Sequence, residues 1–367
     1  MNGLSPIPPG IVSLHDHQIH ARAHMDVPAW AYFSGGAEDE TTLNANHEAW
    51  ERLPLLPRVL RPLAGGHTRV ELLGRTLAHP ILLAPVAYQT LAHPDGEIGT
   101  AHAAAALGAG MVLSTQASTP LEAVAHAIAK DPGRGPLWFQ LYLQHDRGFT
   151  RELVQRAEQA GYEALVLTVD APCHGARDRE RRAGFRLPPG VQAVNLRGMM
   201  PPAARALQHD QSALFDDLLH HAATWADVEW LHAITRLPIL LKGVLHPADA
   251  RQAMDLGVRG LVVSNHGGRT LDTTLPTAQA LPRMAAAVQG RVPLLVDGGI
   301  RRGTDVLKAM ALGATAVMVG RPYIYGLANA GAAGVAHVIR LLRDELEIAM
   351  ALTGCATLSD ATPEVLA

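Results

Sequence analysis

The stretch ILLKGVLHPADARQAMDLGVRGLVVSNH, residues 239–266, decides the fold. It begins with the short apolar run ILLKGV and ends with a second one, GLVVSNH, and the segment between them has helical periodicity. Both runs are apolar almost throughout rather than alternating, as in strands of a parallel sheet that is buried on both faces. The stretch therefore predicts one strand, helix, strand unit.

The same alternation continues on both sides of this stretch, from residue 81 to the end of the chain. Eight apolar runs occur in total, and each is followed by an Ala- or Leu-rich segment with helical periodicity. They are ILLAPVA (81–87), GMVLST (110–115), LWFQLY (137–142), ALVLTVD (164–170), ILLKGV (239–244), GLVVSNH (260–266), PLLVDGG (293–299) and AVMVGRP (316–322). Eight repeats predict an α/β protein with a closed (β/α)8 TIM barrel.

Two segments lie outside this repeat. Residues 1–80 are predicted to form an N-terminal helical cap over one barrel mouth, with WAYFSGGAEDETTLNAN (30–46) as a helix interrupted by glycines and then a second helix. Residues 171–224 form a long loop after the fourth strand, before a helix near Trp225 to Thr235. Long connections at a barrel mouth are often active-site lids. We expect one domain over 1–367, with the barrel at 81–367 and this lid.

Composition excludes several classes of protein. With 367 residues and 48% hydrophobic content, the chain can bury a large core. The net charge of −3 provides no basic field for nucleic acid or an anionic membrane. The two cysteines, Cys173 and Cys355, form no CxxC pattern, and the N-terminus lacks the pattern of a signal peptide. We expect a cytoplasmic protein that binds neither nucleic acid nor membrane.

The nineteen histidines raise the question of a metal site. The N-terminal group lies in a polar segment where solvated histidine is the simpler interpretation, and no HExxH or Cys/His spacing accompanies it or the later pair. We therefore predict no metal. The histidines concerned are His15, His17, His20, His24, His220 and His221.

Polar residues follow most of the apolar runs, on the side where barrel enzymes keep their active sites. Buried groups of this kind are costly unless they pair with each other or with a ligand. Their convergence on one rim favours a functional site. They are Gln140, Tyr142, Thr168, Asp170, Lys242, Ser264, Asn265, His266 and Asp297.

The last two runs add the features of a phosphate site. In DGGIRRG (297–303) and GRP (320–322), glycines allow backbone amides to approach an anion, a helix N-terminus follows, and Arg301 or Arg321 adds charge. Barrels commonly hold a phosphate after strands seven and eight. The sequence contains no dinucleotide-binding fingerprint such as GxGxxG in addition to this corner, so a single phosphate site is expected.

The segment SNHGGRTLD (264–272) closely resembles the signature of the FMN-dependent 2-hydroxy acid oxidases and dehydrogenases, the family that includes glycolate oxidase. Further segments resemble the family in family order, over nearly the whole chain. They are YFSGGAEDETTL (32–43), APVA (84–87), AHPDGE (92–97), FQLY (139–142), LTVDAP (167–172), LLKGV (240–244), DGGIRRGTDVLKAMALGA (297–314) and RDELEIAMALTGC (343–355).

The resemblance implies roles around the substrate. His266 would be the catalytic base, and Asp170 would orient it and stabilise its protonated form. Arg177 and Arg269 would hold the substrate carboxylate in their planar guanidinium forks. Tyr32 and Tyr142 would hydrogen-bond the carboxylate and hydroxyl region of the substrate. Tyr142 would also be a catalytic residue.

The resemblance also implies FMN as cofactor. Lys242 would lie near the pyrimidine edge of the flavin, where its ammonium stabilises the reduced form. Further FMN contacts would be Ala87, Ser114, Gln140, Thr168 and Ser264. The phosphate would rest on Asp297, Gly298, Gly299, Arg301, Gly320 and Arg321.

The implied reaction is oxidation of an (S)-2-hydroxy acid to the 2-oxo acid. His266 would remove either the α-proton, giving a carbanion, or the hydroxyl proton while hydride passes to the flavin. Oxygen is the expected electron acceptor, giving hydrogen peroxide, because Ala87 resembles the oxidases rather than dehydrogenases with glycine. Three alternatives stay open: a dehydrogenase that uses a quinone or cytochrome, a flavin-dependent isopentenyl diphosphate isomerase, and a non-catalytic flavin-binding protein. A homotetramer or homo-octamer is implied as well.

Departures from the glycolate oxidase pattern concern the substrate pocket. Gln116 stands where that pattern has a bulky tryptophan, His174 replaces a hydrophobic lid residue, and Tyr88 beside APVA is reminiscent of members that act on larger hydroxy acids. We therefore predict a substrate with a larger side chain than glycolate.

Overall fold

A closed barrel of parallel strands forms the centre of the molecule in the computed structural model, which describes residues 6–202 and 207–367. Three N-terminal helices precede the barrel: α1 (Leu14–His24), α2 (Val27–Ser34) and α3 (Thr41–Glu51). They confirm the predicted helical segment with a break at the glycines. An antiparallel hairpin of β1 (Val70–Leu72) and β2 (Arg75–Leu77) follows.

The barrel strands lie inside the eight predicted runs, which confirms the predicted (β/α)8 architecture. They are β3 (Ile81–Leu83), β4 (Gly110–Leu113), β5 (Leu137–Leu141), β6 (Leu165–Thr168), β7 (Ile239–Lys242), β8 (Gly260–Val263), β9 (Leu294–Val296) and β10 (Ala316–Val319). Each strand pairs in parallel with the next, and β10 closes the barrel against β3.

Helices surround the barrel and connect its strands. They are α4 (Gly96–Leu107), α5 (Leu121–Ile128), α6 (Arg147–Ala160), α7 (Asp178–Arg182), α8 (Trp225–Ile234), α9 (Pro247–Asp255), α10 (Thr277–Val288), α11 (Gly303–Ala311) and α12 (Arg321–Thr353). Single 3₁₀ turns occupy Gln89–Leu91, Val194–Leu196, Leu218–His221, Leu358–Asp360 and Pro363–Val365. Among the described residues, none of the helices combines the length and the apolar character needed to cross a membrane.

Side chains that point into the barrel fill one of its ends. Leu82, Trp138 and Met318 belong to this interior cluster, and Leu72 and Leu77 of the hairpin pack against it from below. A second and larger cluster lies between the strands and the surrounding helices. Because the hairpin covers the amino ends of the strands, the open mouth of the barrel is at their carboxyl ends.

A carboxylate from the barrel begins α3, so the N-terminal segment is tied to the open mouth. The helix has no side-chain cap of its own, and the residue before it, Glu40, has a φ of +63°. Instead Asp272, which follows β8, accepts hydrogen bonds from the amides of Thr41 (3.1 Å) and Thr42 (2.7 Å). A carboxylate at a helix N-terminus satisfies free amides and interacts favourably with the helix dipole.

Candidate active site

A cavity of about 1060 Å³ lies at the carboxyl ends of the strands. Its walls come from the strand ends, from the N-terminal segment around Tyr32 and from the long segment between β6 and α8. Nearly all predicted site residues line it. They are Tyr32, Ala87, Ser114, Gln116, Gln140, Tyr142, Thr168, Arg177, Lys242, His266, Arg269, Asp297, Gly298, Gly299, Arg301, Gly320 and Arg321.

Two predicted residues, Asp170 and Ser264, lie directly behind the wall. Asp170 accepts a hydrogen bond from Nδ1 of His266 over 2.8 Å. Ser264 is fully buried, and its hydroxyl accepts from the Lys242 ammonium (2.8 Å) and from the backbone amide of His266 (3.1 Å). They therefore support lining residues rather than face the cavity.

The imidazole of His266 has a short hydrogen bond at Nδ1 and a longer contact at Nε2. With Nδ1 engaged by Asp170, Nε2 faces the cavity, where the hydroxyl of Tyr142 lies 3.4 Å away. A carboxylate on Nδ1 fixes the tautomer with a free lone pair on Nε2. The backbone of His266 has a φ of +58°, which bends the chain sharply after β8 and turns this side chain inward.

Asp170 is suited to remain ionised next to this imidazole. Burial by itself raises the pKa of Asp170, but the charge and hydrogen bond of His266 and the charge of Lys242 more than offset burial, and its pKa is lowered overall. Its second oxygen, Oδ2, is buried without a hydrogen-bond partner among the described residues. The pair can therefore accept a proton at Nε2 and stabilise the resulting imidazolium.

Two tyrosines remain protonated donors at ordinary pH. Burial raises the pKa of Tyr32 to about 12, and burial with the nearby charge of Asp170 raises the pKa of Tyr142 further. The ring of Phe185 stacks on Tyr32 with centroids 4.6 Å apart, and the Arg269 guanidinium lies 5.0 Å from the centroid of the same ring. The Tyr32 ring is thus fixed on two sides.

Arg177 and Arg269 share one carboxylate, that of Glu180. Its Oε1 lies 3.0 Å from Nη2 of Arg269 and 3.5 Å from Nη1 of Arg177. Sequence reasoning missed Glu180, although its position three residues after Arg177 is the spacing at which helical side chains meet. Arg269 also donates to the backbone oxygens of Tyr32 and Gly35.

Lys242 occupies the floor of the cavity. Its ammonium lies 2.8 Å from Oδ2 of Asp297 and donates to Ser264. Burial lowers the pKa of Lys242, but the charges of Asp297 and Asp170 outweigh burial and raise its pKa overall. Oδ1 of Asp297 is buried and unpartnered within the described chain. A charged pair with one free acceptor is therefore available to a polar ligand.

A row of hydrogen-bonding side chains continues from Lys242 along three neighbouring strands. Gln140 in β5 accepts from the hydroxyl of Ser114 (3.3 Å) and donates to the hydroxyl of Thr168 (3.0 Å). All three line the cavity. Such a row matches the polar edge of a flat heterocycle.

The part of the cavity wall that follows β9 and β10 is suited to a phosphate. Arg301 and Arg321 are half-buried in this wall, and the Arg321 guanidinium donates to the backbone carbonyls of Phe33, Gly35 and Gly267. In the part of the chain that the structure describes, neither guanidinium forms an ion pair with a carboxylate within 4 Å. Burial, with repulsion from Arg269 and Arg301, lowers the pKa of Arg321 to about 9. Gly298 and Gly299 have φ values of +93° and +84°. Two unneutralised cations beside glycine backbone favour a dianionic ligand.

These features fit the predicted FMN. The arginine and glycine corner would receive its phosphate, and the row from Ser114 to Lys242 would receive its polar ring edge. Trp50 supports the corner from behind, since its indole donates to the carbonyl of Gly298 over 2.8 Å. Trp50, from α3, was not predicted from the sequence.

The residues at which the chain departs from the glycolate oxidase pattern also line the cavity: Gln116, His174 and Tyr88. The backbone carbonyl of Gln116 accepts from the amide of Tyr88 (3.2 Å), and Tyr88 has a φ of +53°. The loops after β3 and β4 are therefore joined at Tyr88 and Gln116, while His174 comes from the segment after β6.

One interpretation of the histidines is wrong. His15, His20 and His24 are exposed, but His17 is fully buried and its Nε2 lies 3.0 Å from Nδ1 of His337 on α12. The physical reason is that α1 packs one of its faces on α12, which a polar sequence did not reveal. Groups of three potential metal ligands do not occur in residues 6–202 and 207–367.

Comparison with known proteins extends these observations. A family model described as FMN-dependent dehydrogenase matches residues 21–367. An L-lactate oxidase from Roseobacter sp. (strain GAI101) is 50% identical over 355 residues, covering 97% of this chain and 94% of the relative. Glycolate oxidase 1 from Zea mays is 43% identical over 353 residues, covering 96% and 94%. A crystal structure of mandelate oxidase with (S)-2-phenylpropionate superimposes with a TM-score of 0.86 at 43% identity, covering 97% and 98%. The similarity spans nearly the whole of each chain.

Proposed function

Because this chain belongs to the FMN-dependent dehydrogenase family, and with it to the 2-hydroxy acid oxidases, we propose that it oxidises (S)-2-hydroxy acids with side chains larger than that of glycolate, and passes the electrons to oxygen. The chain is an FMN-dependent oxidoreductase that converts a 2-hydroxy acid to the 2-oxo acid.

The observation that carries the proposal is the buried pair of His266 and Asp170 beside two arginines. The 2.8 Å contact between Nδ1 and Oδ1 leaves Nε2 as the one basic nitrogen directed at the cavity. Arg177 and Arg269 line the same cavity as this imidazole, and, together with burial, their charges help to lower the pKa of His174 and act on Tyr142. A base next to a carboxylate-binding fork is what oxidation at the α-carbon of a hydroxy acid requires.

In the proposed reaction each side chain has one task. Arg177, Arg269 and the hydroxyl of Tyr32 bind the substrate carboxylate and fix the α-carbon. Tyr142 donates a hydrogen bond to the substrate oxygen, and His266 accepts a proton at Nε2. Asp170 stabilises the imidazolium, because a carboxylate in a buried site interacts strongly with an adjacent cation.

Two groups of the residues described above would hold the cofactor, one at its ring and one at its phosphate. Ser114, Gln140, Thr168 and Lys242, with Ala87, would contact the ring, and Ser264 would position the Lys242 ammonium from behind the wall instead of making the contact that the resemblance implied. Asp297, Gly298, Gly299, Arg301, Gly320 and Arg321 would hold the ribityl phosphate end. When bound, FMN supplies the two-electron acceptor for the α-carbon of the substrate.

A larger substrate is supported by the side chains beyond Tyr142. Gln116 and His174 line the cavity without the bulk of an indole. Their hydrogen-bonding groups favour a side chain that is large and also polar at its end, since an unpaired buried polar group costs about 1–3 kcal/mol. The relatives support a substrate side chain larger than that of glycolate, because they include proteins named lactate oxidase and mandelate oxidase.

The oligomeric state and the cellular location complete the proposal. We propose a homotetramer or homo-octamer, supported by exposed apolar side chains where the segment 56–60 runs beside the end of α12: Leu56, Val59, Leu60, Ile348 and Leu352. A cytoplasmic location is proposed because Cys173 and Cys355 are free thiols. Light scattering would test the assembly, and a monomeric mass would contradict it.

A panel of hydroxy acids tests the activity. Anaerobic addition of lactate, 2-hydroxybutyrate, mandelate and glycolate to the flavoprotein should bleach its visible absorbance, fastest with a larger acid than glycolate. Admitting air should restore the colour with stoichiometric peroxide. Reoxidation that is slow in air but fast with a quinone would contradict the oxygen assignment, and lack of bleaching by every acid would contradict the proposed function.

A further inference from the structure

We infer that Glu180 is a specificity-determining residue, which adjusts the charge of the substrate site to a single carboxylate and so favours monocarboxylic over dicarboxylic hydroxy acids. The inference rests on the proposed function, in that Arg177 and Arg269 are taken to hold the substrate carboxylate. Glu180 itself is assigned no contact with the substrate.

The contacts of Glu180 identify it as the counter-ion of both arginines. Its side chain is 12% exposed, and those of Arg177 and Arg269 are 18% and 14% exposed. Among the described residues, other carboxylates do not come within 4 Å of either guanidinium. In a site this poorly hydrated, the three charges act together on any bound anion.

The other charges of the same helix are neutralised elsewhere. Arg179 pairs with Glu40, and Arg181 and Arg182 pair with Asp178. Asp170 faces His266. The two guanidinium groups and one carboxylate of this cluster therefore leave a single net positive charge where the substrate carboxylate binds, while Arg321, which shares the Gly35 carbonyl with Arg269, is assigned to the cofactor phosphate.

A single charge balances a single carboxylate. A second carboxylate on the substrate would be desolvated without a buried cation to match it, since the other arginines on this side of the cavity, Arg181 and Arg186, are exposed to solvent, and a buried unpaired charge is strongly unfavourable. Replacing Glu180 by glutamine keeps the shape and removes the negative charge. In this variant, binding becomes more favourable by the same free energy for each negative charge on the ligand. A dianion therefore gains twice as much binding free energy as a monoanion.

Binding of two anions of similar size to the oxidised holoenzyme tests this inference. Pyruvate carries one negative charge and oxalate two, and each can be titrated through its perturbation of the flavin spectrum without turnover. In Glu180→Gln the ratio of the pyruvate Kd to the oxalate Kd should rise by about tenfold over wild type. In kinetics, kcat/KM for malate relative to lactate should rise in the same direction.

Two matched variants separate charge from structure. Asp178→Asn removes a carboxylate from the same helix and should change the ratio by less than about twofold. Glu180→Asp keeps the charge and should retain the wild-type ratio even if both affinities weaken. Flavin content and Tm check that each variant is folded.

These outcomes distinguish failure of the inference about Glu180 from failure of the proposed function. A ratio in Glu180→Gln equal to that of wild type, or an equal shift in Asp178→Asn, would overturn the role of Glu180 while leaving the proposed function intact. If neither anion bound to wild type, the carboxylate site itself would be wrong, and both would be overturned.

Discussion

Nδ1 of His266 lies 2.8 Å from Oδ1 of Asp170, although the strands that precede them, β8 and β6, are not neighbours. The strand between them is β7, and its end carries Gly243 at a φ of +107°. A Cβ at this position would lie 2.4 Å from Cγ of Asp170. The two side chains therefore meet over a strand end that has no side chain of its own.

Substitution of Gly243 by alanine should disturb this pair. The new methyl group displaces Asp170, so we expect anaerobic flavin reduction by substrate to slow by at least ~10-fold. Gly74→Ala is the control, because Gly74 also has a positive φ (+79°) but has no atom within 4 Å of an added Cβ. It should lower the free energy of unfolding by about 1 kcal/mol and leave reduction unchanged. Equal rates in the two variants would contradict the steric explanation.

Replacement of Lys242 by methionine should destabilise the protein. It leaves Asp297 buried without its cation, which typically costs about 3–5 kcal/mol. The double variant Lys242→Met with Asp297→Asn should recover most of the Tm but not the rate of substrate reduction. Thermal unfolding and anaerobic reduction measure the two effects. A single variant as stable as wild type would show that the ion pair does not support the fold.

Acid should destabilise the fold through His79. Burial lowers the pKa of this histidine from an ordinary value of 6.5 to about 4, and its ring contacts the carbonyl of Leu107 (3.0 Å) and the amide of Ile81 (3.3 Å). The unfolded chain binds the proton more readily than the folded one. Stability should therefore be complete above pH 6.5 and fall as the pH drops towards 4, by roughly 3 kcal/mol from this group.

A comparison of two variants isolates this effect. His79→Gln should be less stable than wild type near pH 7.5 but should lose less stability between pH 7 and 4.5, because the titrating group is gone. His102→Gln, at an exposed position, should retain the pH dependence of wild type. Denaturant unfolding at several pH values measures both, and identical pH profiles for all three proteins would contradict the assignment.

Gln116 should control the size of the substrate. Gln116→Trp fills part of the cavity, so kcat/KM for mandelate should fall by at least ~10-fold relative to glycolate, with lactate between them. Gln116→Asn should retain the preference for larger acids. If wild type prefers glycolate, or if the tryptophan variant leaves the order unchanged, Gln116 does not shape the pocket.

The barrel was predictable because its strands are continuous apolar runs, and the site was predictable because polar residues follow those runs. Each strand stops before its run does: β8 ends at Val263, and Ser264 to His266 already belong to the turn. The positions of Ser264 and His266 follow from this rule, whereas Gln140, Thr168 and Lys242 lie at the carboxyl ends of their strands. Their roles, which the family resemblance supplied, stay predictions.

Interactions between distant segments could not be predicted in the same way. Asp272 begins α3, more than 200 residues earlier in the chain, and His17 is buried by α12. Neither partner is near in sequence, and a capping carboxylate or a buried imidazole has no local pattern of its own. Glu180 differs, since its spacing from Arg177 is local, but its bond to Arg269 depends on the fold.

His266 is the residue on which the account depends most directly. His266→Asn is suited to test it, because asparagine tolerates the positive φ of this position and only the base is lost. The decisive measurement is anaerobic stopped-flow reduction of the bound flavin by a good 2-hydroxy acid substrate, in wild type and in this variant with matched flavin content. We predict full flavin binding and a rate reduced by at least ~100-fold. Near-normal reduction in the variant would contradict the account.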